Sequence, residues 1–232
     1  MRTKKAVINT MTSIMAEVVS IICGLILPRL ILGAFGSSYN GITSSITQFL
    51  SCIVLLRAGV GSVTRAALYN PLSKKDKSEI SGIVNATAIF MKKVALIYVG
   101  ALIVFACVYP FLVRNSFSWI FSATLVLIIG SSTFVDNYFG IAYQMLLQAD
   151  QKNYVNTIPQ IVTTILNTIV AAVLIHCGAG IHLVKLGSAI VYFIRPLFLS
   201  YYVKKKYEID ADIKPNNSAV SYTHLTLPTI LR

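Results

Sequence analysis

The chain is 232 residues long, 56% hydrophobic and only 12% charged, with a formal net charge of +12. A soluble domain carries about 25% charged residues, so a chain this apolar cannot clothe itself in polar surface and must present apolar surface to lipid. The excess of Lys and Arg does not indicate nucleic acid, because the basic residues fall in short segments between apolar runs rather than on one face.

A membrane-spanning helix needs about 20 mainly apolar residues. Six runs meet that requirement, at about 8–32, 40–68, 94–113, 118–147, 154–177 and 181–203, which predicts an all-α, polytopic membrane protein. The start MRTKK invites comparison with a secretory leader. The first run is too long for one, contains Asn9, Thr10, Thr12 and Glu17, and lacks a small-x-small cleavage site, so it reads as a retained span. Between the second and third spans, SKKDKSEISGIVNATAIFMKK predicts an amphipathic helix lying on the membrane face, begun by Ser73 and Asp76 as a capping pair. The basic segments MRTKK, SKKDK with Lys92 and Lys93, Lys152, and KKKYEIDADIK fall on one side of the membrane. GSSYN, Arg114 and HCGAGIH fall on the other, with Lys185 just inside the sixth span. The positive-inside rule makes the first side cytoplasmic and puts both ends of the spanning region there.

Polar residues recur within the spans at intervals of three and four, which places each set on one helix face. The first span carries Ser13, Glu17, Ser20 and Gly24, and the second carries Ser44, Gln48 and Ser51. The fourth carries Thr133, Asp136 or Asn137, Gly140, Gln144 and Gln148. The fifth carries Thr157, Gln160, Thr164 and Asn167, and the sixth Lys185, Ser188, Tyr192, Arg195 and Tyr202. Small polar residues also serve as ordinary packing residues between membrane helices, but stripes in five of the six spans point to a shared water-filled cavity. The third span has none and is expected to face lipid or to support the others.

Ionisable groups at membrane depth cost about 2.5–3.5 kcal/mol each on insertion scales, and here they are Glu17, Arg29, Arg57, Arg65, Asp136 and Arg195. Arg29 and Arg65 lie near span ends and can snorkel. Arginines outnumber carboxylates, and guanidinium grips phosphate in bidentate fashion, so Arg57, Arg195, Arg29 and Arg65 are the candidate anion-binding residues. Glu17 and Asp136 either pair with arginines or couple transport to an ion gradient. Pro28, Pro159 and Pro196 each remove a backbone hydrogen bond from a span and favour a kink. Cys23, Cys52, Cys107 and Cys177 have no ligand spacing and read as small packed hydrophobes, while His176 and His182 read as polar loop residues. There is no nucleophile constellation, no metal-ligand spacing and no phosphate-cradling Gly loop, so neither enzymatic activity, a metal nor a cofactor is expected.

The segment LPRLILGAFGSSYNGITSSITQFLSCIVLLRAGVGSVTRAALYNPLSKKD, residues 27–76, resembles the Wzx-type polysaccharide-biosynthesis flippases of bacteria. The resemblance rests on Leu32, Gly33 and Gly36, then Tyr39 and Gly41, then Ala58, Gly59 and Gly61, and then Tyr69, Pro71 and Leu72, which lead into a charged helix. Topology extends it to about residue 207. It implies a place in the superfamily of multidrug, oligosaccharidyl-lipid and polysaccharide exporters, in which two six-helix lobes alternate access to a central cavity. The implied substrate is an undecaprenyl-diphosphate-linked oligosaccharide, flipped to the outer leaflet of the bacterial inner membrane, with cationic cavity residues meeting the diphosphate. Polysaccharide polymerase and assembly proteins are the implied further partners. Arg57 stands where many relatives carry an acidic residue, which strengthens an anion site or changes the charge pairing. Two other readings are a cation-coupled drug antiporter of the related branch, needing Glu17 or Asp136, and a non-transporting scaffold in a polysaccharide-synthesis complex.

Because the family has twelve or more spans, residues 1–207 are expected to be an amino-terminal lobe and 208–219 a cytoplasmic linker. The closing stretch VSYTHLTLPTILR differs from everything before it. The codons GTC TCT TAT ACA CAT CTG ACG CTG CCG ACG reproduce residues 220–229 one by one and look like a transposase-based sequencing adapter. Residues 220–232 are therefore expected to be an adapter translation, and a single lobe with half a cavity is expected not to transport.

Overall fold

The computed structural model describes residues 2–54, 60–113, 117–210 and 213, and the described residues are helical throughout their regular structure. In chain order the helices are α1 (Arg2–Phe35), α2 (Ser37–Val54), α3 (Val60–Lys74), α4 (Lys77–Val113), α5 (Trp119–Val135), α6 (Ile141–Ala149), α7 (Tyr154–His176) and α8 (Ile181–Tyr207). A single π-helical turn, Asp136–Gly140, joins α5 to α6, so Trp119–Ala149 is one continuous apolar rod. Five helices are long and apolar enough to cross a membrane: α1, α4, the α5–α6 rod, α7 and α8. The second expected span, 40–68, is divided between α2 and α3, and its middle, including Arg57, lies outside the described residues. So do Arg114, the linker beyond residue 210 apart from Ile213, and all of 220–232.

Local chemistry sets the breaks. Gly36 adopts a φ of +89°, a left-handed conformation that a side chain would strain, and its amide donates to the carbonyl of Leu32 to close α1 before α2 begins. Asp76 caps α4, its carboxylate accepting from the Glu79 amide at 3.0 Å. Ser73 does not share that cap, since its hydroxyl donates back to the Asn70 carbonyl within α3. Ser118 caps α5 through the Phe121 amide.

The surface-lying helix expected over residues 73–93 is not a separate element. α4 runs unbroken from Lys77 to Val113, and Ile80, Ile83, Val84 and Met91 are buried in the bundle rather than laid on a membrane face. Apolar faces on α3, α6 and α8 give that segment a better partner than lipid headgroups. Pro28, Pro159 and Pro196 lie inside α1, α7 and α8, none of which breaks there. Cys52, Cys107 and Cys177 are exposed rather than packed, and all four cysteines are free thiols.

Two large apolar clusters hold the bundle, one toward each end, with a smaller third cluster of Met91, Ile141 and Met145. Leu68 of α3, Ile80, Ile83 and Val84 of α4, Leu146 and Leu147 of α6, Val155 of α7, and Leu199 and Val203 of α8 form the first. Ile42, Ile46 and Leu50 of α2, Tyr98, Leu102 and Ala106 of α4, and Leu125 and Val126 of α5 form the second. α1 packs along α7, α7 along α8, and α5 between α4 and α8. The outer faces remain apolar: Leu96 of α4 is 72% exposed and Leu25 of α1 is 71% exposed. Such contiguous apolar surface is stable only against lipid or another protein. The later part of α4, the third expected span without a polar stripe, turns Leu96, Ile97, Ile103, Val104 and Val108 outward, as expected for a span that faces lipid.

The basic segments gather at one end. Lys5 lies 3.7 Å from Asp150, whose other oxygen is 2.6 Å from Lys152, and Lys77 pairs with Glu208 at 2.6 Å. Asn9 clamps α1 to the α6–α7 turn. Its amide donates to the Gln151 carbonyl and its side-chain oxygen accepts from the Tyr154 amide, both at 2.9 Å. At the opposite end, Tyr39 meets Phe117 and Phe121 edge-on, and His182 lies against Phe121.

Candidate functional site

A cavity of about 310 Å³ opens between α1, α2, α5, α7 and α8. Its polar lining is Thr47 and Ser51 of α2, Ser132 and Thr133 of α5, Asn167 of α7, and Lys185, Ser188 and Tyr192 of α8. Leu27, Leu50, Ile129 and Ala189 supply apolar walls. Helical spacing explains the α8 set: residues 185, 188 and 192 are three and four apart and share a face. Lys185 brings the cavity its cationic group, and among the described residues it has no carboxylate partner. Asn167 is only 3% exposed. Its amide donates to the Tyr192 hydroxyl at 3.2 Å, while its oxygen has no partner among the described residues. A buried acceptor left unsatisfied costs about 1–3 kcal/mol, so this one is poised to accept from a ligand or a water.

Beside the cavity lies a second polar cluster, one turn further along α8. Arg195 donates to Asn156 Oδ1 through Nε at 3.2 Å and through Nη2 at 2.9 Å, and Nη2 also reaches Gln144 Oε1 at 3.4 Å. Gln144 in turn donates to Asp136 Oδ1 at 2.8 Å. One amide therefore links the guanidinium to the carboxylate, and the two charges compensate each other across α6. The π-turn enables this by carrying Asp136 to the side facing Gln144. Gly140 makes it possible for α8 to approach, since a β-carbon there would lie 2.9 Å from Asp136 Oδ1 and 3.0 Å from Pro196 Cβ.

The predicted site residues are thus divided. Ser51, Asn167 and Tyr192 line the cavity, and Asp136, Gln144 and Arg195 form the adjoining network. Asn137 is buried beside a different cavity, toward the basic end. Arg65 donates to Gln148 Oε1 at 2.9 Å, away from the first cavity. Arg29 and Glu17 are exposed on α1, and Ser44 and Gln48 are exposed on α2. Ser13, Gln160 and Thr164 are half-buried and do not reach the cavity, and Arg57 lies outside the described residues.

Sequence reasoning missed Asn156 and Thr47, and it placed Lys185 in the polar stripe of the sixth span without counting it among the anion-binding residues. On α7 the buried polar residues are Asn156, Thr157, Thr163 and Asn167, so Thr157 and Asn167 of the expected stripe face inward while Gln160 and Thr164 are only half-buried. His182 is not a loop residue: its ring shares a hydrogen bond with the Thr124 hydroxyl at 2.9 Å and ties α8 to α5. Among the described residues no cluster of His, Cys, Asp and Glu could hold a metal.

Comparison with protein-family models, with curated proteins and with solved structures finds no match to this chain.

Proposed function

We propose that the chain is a helical lobe of a membrane exporter that moves an anionic, lipid-linked oligosaccharide across the bacterial inner membrane, with six spans and with the basic end cytoplasmic. The observation that carries the proposal is the interhelical cavity that sets the Lys185 ammonium beside the Asn167 and Tyr192 polar groups. A free ammonium with three donors suits an oxyanion. At about 310 Å³ the cavity is near the lower limit of ligand pockets, which run from about 300 to 1,000 Å³. It accommodates a phosphate-sized group and leaves the sugars and the lipid tail outside.

The Wzx-like pattern of residues 27–76 supplies the substrate class. In that reading the polar faces of α1 and α2 that the fold leaves uncovered, with Glu17, Ser20, Ser44 and Gln48, line the central passage against a second lobe. Lipid-linked oligosaccharide and polysaccharide-assembly proteins are then the partners.

Complementation tests the proposal. The gene carrying this sequence, with its genomic flanks, is expected to restore surface polysaccharide in a strain lacking its own flippase. Lys185→Gln is expected to reduce that export at least tenfold at unchanged protein level, and Lys185→Arg to retain it. Full export with Lys185→Gln would refute the role of the cavity, and failure to complement in several such strains would refute the substrate class.

A further inference from the structure

A second cavity, of about 320 Å³, lies toward the basic end between α4, the π-turn with α6, and α8. Three elements converge on it. α4 presents Asn85, Ile89 and Lys92, spaced four and three apart on one face, and α8 presents Ser200 and Lys204, one turn apart. The π-turn, a feature concentrated at functional sites, swings Tyr138 and Phe139 into the wall. The Lys92 ammonium rests 5.3 Å from the centre of the Tyr138 ring. No carboxylate lines the cavity among the described residues, and neither lysine has a carboxylate partner there. Asn85 closes the mouth by donating to the Asp210 and Ile213 carbonyls at 2.8 and 3.2 Å. Ile89 and Phe139 are exposed beside the lysines, at 45% and 38%.

The cavity is therefore amphiphilic. Two ammonium groups, a hydroxyl and two phenols lie together, and an apolar exit runs along the outer surface of the bundle. We propose that it binds the phosphate headgroup of an anionic phospholipid between Lys92 and Lys204, with the acyl chains leaving over Ile89 and Phe139. The site is separate from the Lys185 cavity, and its occupancy does not depend on what the protein transports.

Native mass spectrometry of the detergent-purified full chain, titrated with phosphatidylglycerol or phosphatidylcholine, tests this. A basic residue near an anionic headgroup contributes about 1 kcal/mol, or about fivefold in affinity. Lys92→Gln and Lys204→Gln are each expected to weaken phosphatidylglycerol binding about fivefold, and the pair about 25-fold, by that measure. Lys93→Gln and Lys205→Gln, which change net charge equally from neighbouring positions outside the cavity, are expected to have little effect. Ala88→Phe, which fills the cavity and keeps both lysines, is expected to weaken binding as well. Equal losses from the neighbouring lysines, or equal affinity for the two lipids, would overturn the proposal. A separate arm adds inorganic phosphate alone: displacement of the lipid at low millimolar phosphate would reassign the site to a soluble phosphate and overturn the lipid assignment.

Discussion

Replacing Arg195 by Met separates a structural role from the anion-binding role that its charge suggests. In the fold Arg195 makes at least three hydrogen bonds, two to Asn156 Oδ1 and one to Gln144 Oε1. Side-chain hydrogen bonds between membrane helices average about 0.6 kcal/mol each, so loss of these three amounts to at least about 1.8 kcal/mol. The orphaned acceptor leads to a similar figure by another route. Asn156 is 5% exposed, and an unsatisfied buried acceptor costs about 1–3 kcal/mol. Both arguments place Arg195→Met near a 2 kcal/mol loss, to within about 1 kcal/mol. Asn156→Leu removes the acceptor instead, and the double variant is expected to lose less than the sum of the singles by about 1 kcal/mol, as residues in direct contact do. The assay is reversible unfolding in mixed micelles by SDS titration, followed by circular dichroism. If Arg195→Met stays within about 0.5 kcal/mol of the parent, or if the two substitutions add to within about 0.3 kcal/mol, the network does not hold the bundle and the reasoning fails.

Gly140→Ala is expected to destabilise by about 1–3 kcal/mol, because its β-carbon would press on Asp136 and Pro196, whereas Gly100→Ala, with nothing within 4 Å, is expected to stabilise by about 0.5–1 kcal/mol; the same SDS titration compares them. Asp150 is half-buried. Burial opposes its ionisation, but hydrogen bonds from Lys152 and Tyr207 and the charges of Lys152 and Lys5 outweigh it and hold the carboxyl below its usual value. Its contribution is therefore complete above the usual aspartate value of about 3.9 and is lost as pH falls through the depressed folded value. Hydrogen exchange in residues 2–9 is expected to accelerate across that acid window in the parent, and to be fast and independent of pH-linked opening in Asp150→Asn; a protected amino-terminal turn in the variant would contradict the tether.

Much of the architecture follows from composition and spacing alone. Long apolar runs with few charges have only one solvent available, and their backbone groups can be satisfied there only within helices. This is why five of the expected spans appear as long apolar helices, and why residues 94–113 of α4, without a polar stripe, turn an apolar face outward. Periodicity also located Ser51, Asn167 and Tyr192, because residues three or four apart must share a face.

Only tertiary packing decided what those faces meet. The segment 77–93 has the amphipathic pattern of a surface helix, but its apolar side finds α3, α6 and α8 and continues into α4. Counting charges along the chain grouped the arginines into one anion site. In the fold Arg195 is linked through Gln144 to Asp136, Arg65 is satisfied by Gln148, Arg29 is exposed, and Lys185 reaches the cavity instead. The π-turn lies behind much of this difference. It inserts an extra residue into the helical register, so residues after Asp136 point elsewhere than a period of 3.6 predicts, and it closes the Asp136–Gln144 contact while opening the cavity beside Tyr138. Sequence spacing specifies a face relative to its own helix; the neighbours that cover it, and the register changes that turn it, depend on how all the helices pack.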